Sequence, residues 1–202
     1  MNGIRPLSIA WTMVLLLAAG CASKQQQLAS NQKTLGAKAG TLTITSTAFR
    51  NGGAIPKVFT VDGQNASPPL SWSGAPTDAR EFVLVVEDPD APGSKPFVHW
   101  LLYDIPPNIT TLKQGLSRAG VTPGAATPAG GPLTGEEGKN SKDLMGYVGP
   151  EPPPGKTHHY HFQVFALDRP LNLSAGADKQ TIVTAMSGHV IAKGTLVGTY
   201  QR

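Results

Sequence analysis

The segment REFVLVVEDPDAP holds five consecutive apolar residues, Phe82 to Val86, with no polar side chain among them. Valine, leucine and phenylalanine in so short a run predict a strand rather than a helix. A half-exposed strand would alternate apolar and polar positions, and this one does not. It therefore has to be covered on both faces, which requires a layer of structure on each side of its sheet.

Two further runs supply neighbours for it. FVHWLLYDIP, from Phe97, and HHYHFQVFALD, from His158, are rich in aromatic and β-branched residues. TLTITST, from Thr41, alternates so that Leu42, Ile44 and Ser46 share one face. KVFTVDG reads as a strand ending at the Asp62-Gly63 turn. SPPLSWSG reads as another, entered in extended form through Pro68-Pro69. Late in the chain, ADKQTIVTAMSGHVIAK predicts a helix capped by Asp178, with Ile182, Ala185, Met186 and Val190 on its buried side. Gly188 weakens it, Gly194 ends it, and GTLVGTYQR closes the chain as a short strand. With 23 glycines and 18 prolines against only 15% charged residues, the expected fold is mainly β. It is a β-sandwich with a short C-terminal helix and long structured loops. The segment from Leu112 to Leu144 is poor in large apolar residues, and loops of such length serve function or move.

Charge narrows the function. Seventeen basic against 13 acidic residues give a net +4, but the lysines are scattered, whereas a nucleic-acid reader clusters them on one element. No nucleic-acid partner is expected. Cys21 is the only cysteine, so no disulfide supports the domain.

The first 20 residues read as a signal peptide of lipoprotein type. Arg5 precedes an apolar run from Leu7 to Ala19, which is short for a membrane span and ends in the small residues Ala18-Ala19-Gly20 before Cys21. Cys21 is the expected lipidation site, making the protein exported and anchored in a bacterial cell envelope through an acylated N-terminus. Residues 21–40, rich in Gln, Ser, Lys, Ala and Gly, are expected to form a flexible tether. The folded domain is then expected over 41–202.

The residues with chemistry lie at strand ends. Period-two geometry puts His99 with Phe97, Leu101 and Tyr103, opposite Trp100. It groups His158 with Tyr160 and Phe162, and His159 with His161 on the other face. DPDAP sets Asp88 and Asp90 in a proline-stiffened corner. In GYVGPEPPPGKTHHYHF, Pro150, Pro152, Pro153 and Pro154 carry no N–H. The free amides there fall at Gly155, Lys156 and Thr157, a candidate anion cradle.

DPDAP, the His99-Trp100 pair and GYVGPEPPPGKTHHYHF, in that order, resemble the phosphatidylethanolamine-binding family, and in particular its bacterial, Raf-kinase-inhibitor-like branch. SPPLSWSG before them and GHVIAKGTLVGTY after them fit the same branch, so the resemblance runs from Thr41 to Tyr200. It implies a β-sandwich with a small pocket for anions such as phosphate or a phospholipid head group. Carried over by position, that pocket is lined by Asp88, His99, Pro153, His158 and Tyr160, with Asp90 and Gly155 beside it. His99 and His158 would then donate hydrogen bonds to phosphoryl oxygens, with the Tyr160 hydroxyl as a third donor. His159 stands where many relatives carry arginine, and Glu151 adds a negative charge near the site.

The resulting expectation is a non-catalytic envelope lipoprotein that binds a small anion and needs no cofactor. Two other classes fit parts of the sequence. One is a protein-partner module, such as an envelope protease inhibitor acting through the 113–145 loop. The other is a metal-dependent hydrolase using Asp88, His99 and His158, although no G-x-S-x-G motif supplies a nucleophile.

Overall fold

A computed structural model describes residues 27–32, 35, 39–117, 119 and 135–202. The signal segment and Cys21 lie outside the described residues, as do residues 120–134 of the long loop.

The apolar run forms the middle of strand β5 (Glu81–Asp88), every residue of which is buried. It lies between β6 (Phe97–Ile105) and β9 (His158–Leu167), antiparallel to both. On the far side of β9 runs β10 (Val190–Tyr200), joined by β1 (Gly40–Thr41) and β3 (Gly53–Ala54), each parallel to it. β8 (Glu136–Glu137) pairs with β6 and completes a seven-stranded sheet. A second sheet of three strands orders β2 (Thr43–Thr45), β4 (Leu70–Ser73) and β7 (Thr111–Leu112).

Between the sheets Phe82, Leu84 and Val86 of β5 pack with Trp100 and Leu102 of β6 and with Phe162 and Val164 of β9. Ile44, Leu70, Trp72 and Leu112 cover them from the small sheet. On the outer face Val83 and Val85 meet Leu101, Tyr103, Phe165 and Leu167 under helix α1 (Lys179–Met186). Two covered faces are what the uninterrupted apolar run requires.

Three local expectations change. KVFTVDG is not a strand; Lys57–Phe59 forms a 3-10 turn that buries Phe59. The helix is shorter than its sequence pattern. Asp178 caps it, accepting from Thr181 N at 2.8 Å, and Ile182, Val183 and Met186 are its buried residues. The chain then turns at Gly188, whose φ of +81° favours glycine, so Val190 already belongs to β10.

The third change concerns the segment read as a flexible tether over 21–40. Its described part docks on the outer face. Leu28, Ala29 and Leu35 are buried, and Ala29 and Leu35 belong to the core under α1. The Ala29 N–H donates to Glu87 Oε2 at 2.8 Å and the Ser30 N–H to Gln163 Oε1 at 2.7 Å. Lys193 Nζ donates to the Ser30 carbonyl at 2.7 Å and Lys179 Nζ to that of Gln27 at 2.9 Å. Composition concealed this, because two leucines spaced among polar residues carry no periodicity. They need only a ready apolar face and a buried carboxylate to bind. Leu35→Ala should therefore lower unfolding stability by about 2–4 kcal/mol, the usual loss for a buried leucine, measured by denaturant titration. A change below about 0.5 kcal/mol, typical of an exposed position, would restore the flexible tether.

Candidate functional site

Three strand ends meet at one end of the large sheet: the close of β5, the start of β6 and the start of β9. Asp88 sits at the first. Its Oδ1 accepts the N–H groups of Asp90 and Ala91 at 2.7 and 3.1 Å, which fixes the DPDAP corner. Its Oδ2 accepts from His158 Nδ1 at 2.7 Å. Both side chains of this pair are 4% exposed. Asp88 thus accepts three hydrogen bonds, and the His158 ring is held through Nδ1.

His99 reaches the same place by an irregularity. In the β5–β6 register Val86 faces Trp100 and Glu87 faces Val98, so His99 is an extra residue on β6. Such a bulge breaks the alternation of side chains. Val98 joins Leu101 and Tyr103 on the outer face, whereas Trp100 and Leu102 pack inside. The period-two grouping of His99 with Leu101 and Tyr103 is therefore wrong at this point. The His99 ring instead lies 4.7 Å from that of Phe97 and 5.1 Å from that of Tyr160, edge-on to the latter. A second register shift follows near Asp104, whose φ is +53°.

The proline-rich loop clasps His99 from outside. Val148 donates its N–H to the His99 carbonyl at 3.0 Å, and its own carbonyl lies 2.7 Å from His99 Nδ1. A carbonyl only accepts, so Nδ1 carries the proton and Nε2 presents a lone pair. This corrects the role expected for His99 as a donor to phosphoryl oxygens. The neighbouring residue has to be glycine: a Cβ at Gly149 would stand 2.4 Å from the Phe59 carbonyl oxygen. Its N–H donates to Asn65 Oδ1 at 2.6 Å, and Pro150 accepts from the Val61 N–H at 3.1 Å. Tyr147, one turn earlier, donates its hydroxyl to the Phe59 carbonyl at 2.7 Å.

These elements enclose a cavity of about 240 Å³. Asp88, His99, Pro153 and His158 line it, together with Phe97, Lys142, Val148, Gly149, Glu151 and Pro152. The other expected residues stand apart. Tyr160 is not in the lining; it is buried beside His99, and its hydroxyl has no hydrogen-bond partner among the described residues. Asp90 faces away from it, accepting both the N–H and the Nδ1–H of His159, at 3.0 and 2.7 Å. Gly155 is exposed and its N–H is taken by the Arg202 carbonyl at 3.1 Å. That amide is therefore not available to a cradle. Lys142 carries no signal of its place in the sequence, because it reaches the rim from the turn after Asn140. At the rim Lys142 Nζ lies 2.9 Å from Glu151, with Arg202 3.8 Å from the same carboxylate. The charge of Glu151 is thus offset by two cations.

Electrostatics sort the two histidines. Burial pushes His99 down to about 4, against the smaller opposing effects of the Val148 carbonyl and Asp88. It is neutral at physiological pH. Burial, and then Asp88, push the Tyr160 hydroxyl well above its ordinary range, so it stays protonated. Among the described residues no group of three His, Cys, Asp or Glu side chains is placed to hold a metal. No Ser, Thr or Cys appears among the residues that line the cavity.

The fold is thus a two-sheet sandwich that carries an Asp–His pair and a second histidine at one sheet end. Known proteins share it. The family described as Phosphatidylethanolamine-binding protein matches residues 45–201, and the chain belongs to that family. A UPF0098 protein of Methanothermobacter thermautotrophicus is 42% identical over 155 residues, covering 77% of this chain and 95% of its own. A Mycobacterium tuberculosis protein named "Putative lipoprotein LppC" is 39% identical over 161 residues, covering 79% of this chain and 72% of its own. Among solved structures, Escherichia coli YbcL, described as a member of the mammalian PEBP family, superposes with a TM-score of 0.71 at 26% identity. That superposition covers 81% of this chain and 99% of YbcL.

The depressed basicity of His99 has a consequence for stability. Between pH 6.5 and 4 the unfolded chain binds a proton at this residue that the folded chain refuses. Its contribution therefore turns unfavourable as pH falls through that window, by up to about 3 kcal/mol below pH 4. An NMR titration should show no His99 midpoint above pH 5; a midpoint near 6.5 would contradict the buried neutral ring.

Proposed function

We propose that this protein is an envelope lipoprotein whose sandwich holds a small phosphate-bearing anion, without transforming it, in the cavity floored by His99 and His158. The observation that carries this reading is the state of the two rings. Each has Nδ1 engaged by a protein acceptor, Asp88 or Val148, and each lines one cavity with no protein partner at Nε2 among the described residues. Rings so oriented are prepared for something that enters from outside. The Asp88 carboxylate behind His158 holds that ring by Nδ1 at the edge of the cavity. Lys142 adds a cation at the mouth. Its ion pair with Glu151 is more than a third exposed on both sides, and such pairs contribute only about 0–1 kcal/mol. The pair can open for a ligand at little cost.

Binding rather than catalysis is favoured by the lining, which among the described residues offers no hydroxyl or thiol nucleophile. The size favours a head group over a whole lipid, since about 240 Å³ corresponds to about eight water volumes at ~30 Å³ each. Phosphate or phosphorylethanolamine should raise the melting temperature by mass action, and His158→Ala should remove that rise. A rise that survives in the variant would eliminate this cavity as the site.

The anchor reading rests on the Cys21 context and on the lipoprotein name carried by one relative. Residues 22–26 separate Cys21 from Gln27, which belongs to the docked segment. An acylated Cys21 would accordingly keep Gln27 within about 20 Å of the membrane surface, from six residue steps of ~3.5 Å. Durable attachment takes more than one acyl chain. Mass spectrometry of the membrane fraction should find Cys21 as an acylated first residue; an unmodified cysteine there would end the anchor claim.

A further inference from the structure

The N-terminal segment joins the folded domain at the same end of the large sheet as the cavity. Glu87 and Asp88 are consecutive residues at the close of β5, and they serve different partners. Glu87 Oε2 accepts the Ala29 N–H of the docked segment at 2.8 Å, while Asp88 Oδ2 accepts from His158 at the cavity. Gln27, where that segment begins, lines a cleft of about 440 Å³ with Lys95, Val98, Lys139 and Ser141. Val98 and Ser141 bond each other twice, at 2.8 and 2.9 Å. Their neighbours Phe97, His99 and Lys142 line the cavity, so the start of β6 and the turn after Asn140 stand between cleft and cavity.

That turn is rigid and carries an apolar tip. Asn140 Oδ1 accepts the N–H groups of Lys142 and Leu144 at 2.8 and 3.4 Å, and the Asn140 N–H donates to the Leu144 carbonyl at 2.9 Å. So held, Leu144 is the one large hydrophobic side chain exposed among the described residues, at 44%.

We infer that this end of the sheet is a membrane-docking face. Leu144 enters the interface of the bilayer that anchors Cys21, and the head group taken by the cavity belongs to a lipid of that bilayer. This rests on the anchor and anion-binding readings above. Chain length limits the alternatives. The six residue steps from Cys21 to Gln27 span at most about 20 Å, roughly half the ~40 Å breadth of a domain of this size. Were the opposite end of the sheet turned to the bilayer, Gln27 would stand too far off for its tether. Burial of one leucine is worth about tenfold to a hundredfold in a partition, too little to hold a free protein. A short tether raises the effective concentration of the face, so a weak contact suffices. Charge does not oppose it: Lys139 pairs with Asp143, Lys142 with Glu151, and Lys95 adds an exposed cation.

The test uses the acylated protein in vesicles of equimolar phosphatidylethanolamine and phosphatidylglycerol that contain a head-group nitroxide lipid. Cys21 is the only cysteine, and acylation takes its thiol, so an introduced cysteine is the sole labelling site. A fluorophore at Ser94→Cys, exposed at the cavity end, should be quenched. One at Asp78→Cys, exposed ahead of the start of β5, should not. Adding Leu144→Glu should lower the docked-to-undocked ratio read from the Ser94 label at least about tenfold, the equivalent of one leucine returned to water. In detergent the same substitution should leave the melting-temperature rise with phosphorylethanolamine unchanged, because Leu144 does not line the cavity. In vesicles the docked protein should bind added phosphorylethanolamine more weakly than the Leu144→Glu variant, because lipid head groups compete; equal affinity would overturn the lipid source. Equal quenching at the two labels, or quenching at Ser94 that survives Leu144→Glu, would overturn the docking face while leaving anchor and anion site standing. An altered oligomeric state of Leu144→Glu in detergent with unaltered quenching would assign the turn to a second copy, and likewise overturn it. Flotation reports the anchor separately: protein that does not float with the vesicles lacks it, and the docking face falls with it. The comparison of the two labels needs no change at Leu144, so it does not depend on that variant folding.

Discussion

Two adjacent carboxylates at the end of an apolar strand set the terms for the rest of this molecule. Glu87 and Asp88 close β5, where both are buried, and they point to opposite faces of the sheet. A buried carboxylate without partners costs several kcal/mol, so each face has to supply donors. On the outer face Glu87 collects the Ala29 N–H, the Gln163 amide and the Lys179 ammonium. These come from the N-terminal segment, from β9 and from the start of α1, and their convergence fixes the outer layer. On the inner face Asp88 collects two amides of its own turn and the His158 ring. The layer arrangement and the cavity therefore follow from one requirement met twice.

The same strand end explains why the cavity sits where it does. Within the sandwich each strand passes from core to core, and the apolar faces are closed. Where β5 runs out of apolar residues, a polar side chain has to be accommodated inside. The extra residue at His99 then turns β6 so that an imidazole, rather than the valine before it, faces that spot. A bulge shifts a side chain without lengthening a loop, and the ring it brings is locked by Val148.

Much of this was legible in the sequence, and the failures share a cause. The apolar run of β5 announced two covered faces, and the alternation in β9 correctly placed His158 and Tyr160 together. The ordered motifs that surround them pointed to the family. What alternation could not reveal is a break in alternation, so His99 was assigned to the wrong face although to the right cavity. Nor could it reveal docking by a segment with only two leucines, since the determinant lies in Glu87, 58 residues away from Ala29. Lys142 and the shielding of Glu151 depend on contacts between loops, for which local sequence carries no periodic mark. KVFTVDG has strand-like composition, but Pro56 and the Gly63 turn leave it no partner, and burial of Phe59 is satisfied by a single 3-10 turn.

The proline loop deserves a different reading from the one its amides first suggest. Anions are often held by successive backbone N–H groups, and the natural place for these was after the prolines. The first of those amides is taken, because Gly155 N–H bonds the Arg202 carbonyl, and the prolines have none to give. What the loop contributes is instead a carbonyl, that of Val148, and rigidity around it. An acceptor held firmly behind a neutral ring makes the ring an acceptor too. The His99 ring, kept neutral by burial, holds its Nδ1 proton on the Val148 carbonyl, so the stiff loop fixes its tautomer, a form of control that a nest of amides, donors only, could not provide.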